Sequence, residues 1–125
     1  MEKKQAIQSF EDLEVYQKGF ALAMAIFSLS KKFPREELYS LTTQMRNASR
    51  SIPANIAEGW AKREYLAVFK RHLLDALGSA NEMFVWLDTA IACNYLEKED
   101  CSKLNQDYRS LARQLHQLHA NWRKF

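Results

Sequence analysis

Apolar residues recur along this chain at three- and four-residue spacing in four successive segments, the period that gathers side chains on one face of an α-helix. The first segment opens after Ser9, a residue able to cap backbone N–H groups, with Glu11 and Asp12 behind it to favour the positive end of the helix dipole. It is predicted to stop near Phe33, ahead of Pro34. Leu13, Tyr16, Phe20, Met24 and Phe27 form one apolar stripe, and Val15, Leu22, Ile26, Leu29 and Phe33 form a second on the opposite side. A helix in a monomeric bundle needs only one such face. The second predicts a subunit interface, the alternative being a helix wedged centrally within its own bundle.

The second helix is predicted from about Arg35 to Gly59, with Leu41, Met45, Ala48, Ile52 and Ile56 on its core stripe. The third, from about Glu64 to Asn94, carries Leu66, Phe69, Leu73, Leu77, Ala80, Phe84, Leu87 and Ile91. The fourth, from about Lys98 to the end, shows Leu104, Tyr108, Leu111, Leu115, Leu118, Trp122 and Phe125 in the four-three alternation of a coiled-coil seam. Short connections at Phe33 and Pro34, at Gly59 to Arg63 and at Asn94 to Glu97 make sequential neighbours antiparallel. The predicted fold is all-α, a single antiparallel up-down four-helix-bundle domain over residues 1–125, with residues 1–9 a flexible N-terminal segment.

Ser51 to Gly59 interrupts this regularity. Pro53 removes a backbone donor and crowds the carbonyl of Ser49, which predicts a kink in helix two and leaves Ser51 or Asn55 to satisfy the freed group. Gln44, Ser51, Asn55, Glu58 and Lys62 share a polar stripe beside the core stripe. Asn55 and Glu58 are within helical reach of Ser79 or Glu82 on helix three, where Gly78 would let the backbones approach. Such a hydrogen-bonded seam more often specifies packing than catalyses.

Composition agrees with helices: Leu, Ala, Glu, Lys, Arg and Gln abound, with only 3 Gly and 2 Pro in 125 residues. The longest apolar run, Phe20 to Phe27, is far below the ~20 residues that cross a bilayer. Cys93 and Cys101 show no spacing of a disulfide framework and no signal peptide is evident, so the expected setting is a reducing cytoplasm. The formal net charge of +3 is small, but its distribution is uneven. Residues 44–73 hold Arg46, Arg50, Lys62, Arg63, Lys70 and Arg71 against Glu58 and Glu64 alone. Residues 74–107 run acidic, and the C-terminal segment then offers Arg109, Arg113, Arg123 and Lys124 with no acid.

Gln44 to Arg46, Ala48, Ser51 to Pro53 and Asn55 to Gly59, then Phe69, Ala76, Gly78, Ser79, Glu82 and Leu87, together with Phe10 to Leu13 and Phe33–Pro34, resemble the 23S rRNA intervening sequence protein family, also called four helix bundle protein. The resemblance spans residues 9–96, and Ser51, Pro53, Asn55, Glu58, Gly59, Gly78, Ser79 and Glu82 are its structural motif positions. It implies a four-helix bundle assembling as a homopentamer, often with a basic surface, in a family without a settled biochemical function. The accessory protein of diversity-generating retroelements is similar in fold and binds a reverse transcriptase and nucleic acid, an analogy at the level of fold. The chain departs from the family pattern at Asn47, where a second basic residue is common, and at Leu77, where Arg is common; Arg50 offers a compensating charge for the first.

Three functions are weighed against these residues. Binding of RNA or other nucleic acid would use Arg46, Arg50, Lys62, Arg63, Lys70, Arg71, Arg109 and Arg113, with Arg46 and Arg50 the sharpest phosphate ligands because they lie four residues apart, opposite the polar stripe. A protein-recruiting scaffold would use the acidic Glu97, Glu99, Asp100 and Asp107 and exposed Trp60, Trp86 and Trp122, although Trp122 fits better as the closure of the helix-four seam. A ribonuclease of the HEPN kind would pair Arg109 with His116 and Arg113 with His119, a loose spacing common on any basic helix. The bland reading of each charge run is a solvated face, and His72 beside Lys70 and Arg71 reads as a surface residue. Cys93, Cys101, His116 and His119 fit no standard zinc spacing, so no metal or cofactor is expected. The reading is therefore a non-enzymatic homo-oligomer whose first partner beyond itself is nucleic acid.

Overall fold

The computed structural model describes Ala6 to Trp122; Arg123, Lys124 and Phe125 of the basic C-terminal cluster, and the first five residues of the segment expected to be flexible, lie outside the described residues. Four helices account for most of the chain: α1 Glu14–Ser30, α2 Leu41–Ala61, α3 Leu66–Ala92 and α4 Lys98–Asn121. The fold is all-α, a four-helix bundle, with no strand among the described residues.

Two helix starts come later than their sequence signals. Ser9 opens a short 3-10 turn, Phe10–Asp12, in which the Asp12 carboxylate accepts from the backbone N–H groups of Gln8 and Ser9 at 2.8 and 3.1 Å. Leu13 is extended, at φ −73° and ψ 127°, so α1 begins only after it. Arg35–Glu37 is likewise a separate 3-10 turn, and Ser40 breaks the backbone before α2. Glu37 caps α2 in the gap: its carboxylate accepts from the Ser40 hydroxyl and, at 3.2 Å, from the Leu41 N–H. Tyr95, in the turn after α3, donates its hydroxyl to the same carboxylate at 2.8 Å. These three bonds hold the Glu37 carboxyl below its ordinary pKa, the Ser40 contact contributing most. The hydrogen bond to Glu37 chiefly pushes the Tyr95 phenol up to about 12. Asn94 ends the α3 turn at φ 64°, a left-handed conformation that asparagine tolerates better than most residues.

The core stripes differ from expectation by small rotations. On α2 the predicted Leu41, Met45, Ala48, Ile52 and Ile56 are all buried. On α3 the buried line is Phe69, Leu73, Ala76, Ala80, Met83, Leu87 and Ala90, while the predicted Leu77, Phe84 and Ile91 flank it half-buried. On α4, Tyr108, Leu111 and Leu115 are buried as the seam requires, and Trp122 closes it with edge contacts to Trp60 and Phe69 at 5.8 and 5.0 Å.

Successive helices pack on one another, and the α1–α4 seam is the sparsest of the four helix-to-helix seams. Contacts run in opposite order along neighbouring helices: Ser51 meets Ser79, while Gly59, two turns on, meets Phe69 and His72. Two glycines set close approaches. A Cβ on Gly19 would lie 3.1 Å from Ile52 Cγ2 and 3.6 Å from Pro53 Cδ, so α1 presents bare backbone to the proline ring of α2. A Cβ on Gly59 would lie 2.8 Å from His72 Cβ and 3.2 Å from Phe69 Cδ1. Gly78 does not serve as predicted: it faces outward, and a Cβ there would meet nothing within 4 Å. It sits two positions from both Ala76 and Ala80, which turns it away from the core.

Of α1's two stripes, Val15, Leu22 and Ile26 are buried in the bundle's own core. The other stripe is divided: Leu13 is also buried in the core, Tyr16 and Phe27 are half-buried, and Phe20 and Met24 are left 48% and 42% exposed. No helix of the described residues is long and apolar enough to cross a membrane.

Candidate functional site: a cation-ringed aromatic face between the first two helices

The motif residues of α2 build a polar seam against α3. Ser51 Oγ donates to the Ala48 carbonyl at 2.8 Å and lies 2.6 Å from Ser79 Oγ. Asn55 Nδ2 donates to the Ser51 carbonyl at 2.9 Å, and its Oδ1 lies 3.1 Å from His72 Nδ1. His72 Nε2 is 3.4 Å from Lys62 Nζ. The cross-helix partners thus differ from the predicted ones: Ser51 takes Ser79, Asn55 takes the half-buried His72, and Glu82 accepts instead from the Trp86 indole at 2.8 Å. Glu58 is exposed. The line of contacts follows from spacing, because residues 51, 55, 59 and 62 come round to one side of a helix every three or four positions. It is a packing device, with Ser51, Asn55, Ser79 and His72 bonded to one another or to the backbone.

On the far side of α2 the arrangement reverses. Arg46 and Arg50, one turn apart, both lean on Phe27 of α1, their guanidinium carbons 4.8 and 5.8 Å from the ring centroid. Lys31, one turn beyond Phe27 on the same chain segment, brings its ammonium to 4.7 Å. Arg46 is fixed further: its Nε donates to Ser30 Oγ at 2.7 Å, and that buried hydroxyl donates to the Phe27 carbonyl at 3.1 Å. None of the three cations forms a salt bridge among the described residues, where the ion pair seen is Lys103 with Asp107 at 4.0 Å. Beside them runs an apolar groove of about 410 Å³, walled by Phe20, Met24, Pro53, Ala54 and Ala57 and edged by Arg50. Tyr16 and Phe10 continue its aromatic wall, with ring centroids 4.9 Å apart.

The remaining predicted cations are not gathered with these. Lys62 and Arg63 lie at the α2–α3 turn, where Arg63 stacks over Trp60 at 4.2 Å and donates to its carbonyl at 2.9 Å. Lys70 and Arg71 occupy the first turns of α3. Arg109 sits on α4 over the Phe84 ring at 4.5 Å, and Arg113 is exposed one turn further. The eight predicted ligands therefore fall in separate places. The structure adds Lys31, Ser30 and Phe27 to Arg46 and Arg50; sequence spacing signals only that Lys31 follows Phe27 by four positions, and the packing of α1 on α2 brings them to the arginines.

The scaffold reading loses its exposed aromatics. Trp60 and Trp122 are buried and Trp86 is half-buried, so the expected exposed aromatics are packing residues. Arg109 lies over the Phe84 ring, while on α4 Arg113 and His116 are exposed and His119 is half-buried. Cys101 is buried, which pushes its thiol up, while Cys93 is exposed; among the described residues no group of three His, Cys, Asp or Glu could hold a metal ion. Tyr108 is fully buried, its hydroxyl has no hydrogen-bond partner among the described residues, and burial raises its pKa.

What the fold and this face define is a helical bundle with a cation-ringed aromatic surface, built on a motif-bearing helix whose other side packs against α3. The chain belongs to the 23S rRNA-intervening sequence protein family, whose sequence profile matches residues 11–117. It is similar to a protein of unknown function from the S23 ribosomal protein family of Bacteroides thetaiotaomicron, solved at 1.70 Å resolution. The two share 28% sequence identity with a TM-score of 0.77, over 86% of this chain and 96% of that one. No curated protein matches the chain.

Proposed function

We propose that this chain is a non-enzymatic, cytoplasmic, homo-oligomeric bundle that binds RNA through basic patches repeated around the assembly. The observation that carries the reading is the set of three cations, Lys31, Arg46 and Arg50, held around one ring with no carboxylate partner among the described residues. Ordinary surface arginines find acidic neighbours or water; cations organised by an aromatic ring and a buried hydroxyl retain their charge for an anion of the partner. Phosphates of a nucleic acid supply such anions, and repetition by oligomerisation turns weak contacts into avid ones. Copies would join across α1, where the stretch from Gly19 to Ser30 contains no charged residue and Phe20, Met24, Ala21 and Ala25 face outward. Five copies is the number the family resemblance implies.

Light scattering of the pure protein with and without structured RNA, joined to filter binding at low and moderate salt, tests both parts. The expected result is a defined oligomer that gains RNA mass, with affinity falling steeply as salt rises. Affinity indifferent to salt, or none at micromolar protein, contradicts the RNA reading. A monomeric mass contradicts the assembly. Phe20→Glu is expected to dissociate the oligomer while the monomer stays folded.

A further inference from the structure

Beside the ring-bound cations lies a concavity of about 300 Å³ that the RNA reading does not by itself require. Lys31, Arg35 and Arg46 line it, together with Ser30 and Thr42, and Phe33 and Leu38 supply apolar wall. The three cations come from three different elements: the end of α1, the 3-10 turn Arg35–Glu37 and the second turn of α2. Lys31 and Arg46 both lie under 5 Å from the Phe27 centroid, which keeps their charges within about one Debye length of each other at 0.1 M salt, ~10 Å. Ser30 holds only Nε of Arg46, so the two terminal amino groups of the guanidinium have no hydrogen-bond partner among the described residues. The acids nearest in sequence form no ion pair with these three cations among the described residues. Glu37 is committed to Ser40, Leu41 and Tyr95, and Glu36 is exposed and forms no ion pair among the described residues.

We propose that this pocket takes the terminal phosphate monoester of an RNA strand. The inference rests on the RNA reading and narrows it to recognition of a strand end. Converging cations favour the more highly charged anion, since Coulomb attraction scales with the ligand's charge. A monoester carries close to two negative charges at neutral pH, whereas each phosphodiester inside a strand carries one. A concavity also suits a group at a chain end, because an internal phosphate must leave room for the chain on both sides. Arg46, set in place by the buried Ser30 hydroxyl, presents its free edge as a fork to two phosphate oxygens, and Lys31 and Arg35 neutralise the remainder.

The test compares two oligoribonucleotides of one sequence, labelled at the 3′ end and carrying either a 5′-phosphate or a 5′-hydroxyl, titrated with wild-type protein at 0.1 M salt. A nucleoside 5′-monophosphate is used as competitor. The expected result is roughly tenfold tighter binding of the phosphorylated strand. That preference should shrink to less than about twofold in Arg46→Gln and in Lys31→Gln, the second serving as the check because Lys31 is exposed and supports no buried group. Equal affinity of wild type for the two strands overturns the inference and leaves the RNA reading standing. A preference retained in folded Arg46→Gln and Lys31→Gln assigns the end recognition elsewhere and also overturns it. Absence of binding to both strands overturns the two readings together. Displacement of the phosphorylated strand by the mononucleotide supports a pocket for the phosphate itself, and indifference to it at millimolar concentration contradicts one.

Discussion

The two sides of α2 obey opposite rules. Toward α3, each polar side chain of the Ser51 to Gly59 segment that points inward is matched: Ser51 to Ser79, Asn55 to His72, and Gly59 to the space His72 and Phe69 fill. Toward α1, the groups are left unspent, with three cations on Phe27 and an apolar groove open to solvent. The difference teaches where to look for function. A helix-rule violation such as Pro53 draws attention, yet here it marks close packing, its ring set against the bare backbone of Gly19. The unmatched side is where a partner has something to gain.

This contrast can be broken at several places. The largest effect is expected from Gly59→Ala: the new methyl would sit 2.8 Å from His72 Cβ, and the helices must part, at a cost of about 1–3 kcal/mol in chemical denaturation. Gly78→Ala, in the same motif but facing open space, should instead stabilise by about 0.5–1 kcal/mol through helix propensity. Equal and same-signed changes would mean the two glycines do not differ as described. Asn55→Ala removes the bonds to the Ser51 carbonyl and His72 and should cost about 1–2 kcal/mol, with RNA affinity per folded molecule unchanged. A melting temperature equal to wild type would show that the seam is not holding the bundle together.

Tyr108→Phe should raise stability by about 1 kcal/mol, because the buried hydroxyl has no partner to lose among the described residues; a loss of that size would reveal one. The smallest effect belongs to the cap of α2. Glu37 has a depressed pKa in the folded protein, so its contribution is present above the unfolded value of about 4.5 and disappears as pH falls through the lower folded one. Tyr95 is raised to about 12, so its contribution is complete below about 10 and is lost as pH climbs through 12. Thermal melts across pH should show both losses, and Tyr95→Phe should shrink the alkaline arm, to which the raised Tyr108 and Cys101 also contribute, while softening the acid one. An alkaline arm unchanged in Tyr95→Phe would assign that loss to another group.

Periodicity made the bundle legible, since four apolar repeats of helical spacing leave little choice of fold, and the α2 core stripe needed no revision. Helix starts were harder. Ser9 and Arg35 stand where helices are predicted to start, but each opens a 3-10 turn, because Leu13, buried in the core, and Ser40, bonded to Glu37, adopt non-helical backbones. The glycine roles were misassigned for a related reason. Which glycine meets a neighbouring helix depends on the rotation of α3, and one position of rotation in its stripe moves Leu77 to the flank and brings Ala76 inward. Arg46 and Arg50 were legible as a pair from their spacing, whereas Lys31 and Ser30 join them only through the packing of α1 on α2.

The central claim is that binding belongs to the α1 side of α2 and stability to its α3 side. One RNA titration at two salt concentrations, run on wild type, Asn55→Ala and the double variant Arg46→Ala with Arg50→Ala, tests it most directly. The account predicts that the double variant loses affinity by roughly tenfold or more and flattens the salt dependence by about one phosphate contact per arginine, while Asn55→Ala binds as wild type. Full affinity and an unchanged salt slope in the double variant, or a loss confined to Asn55→Ala, would contradict it.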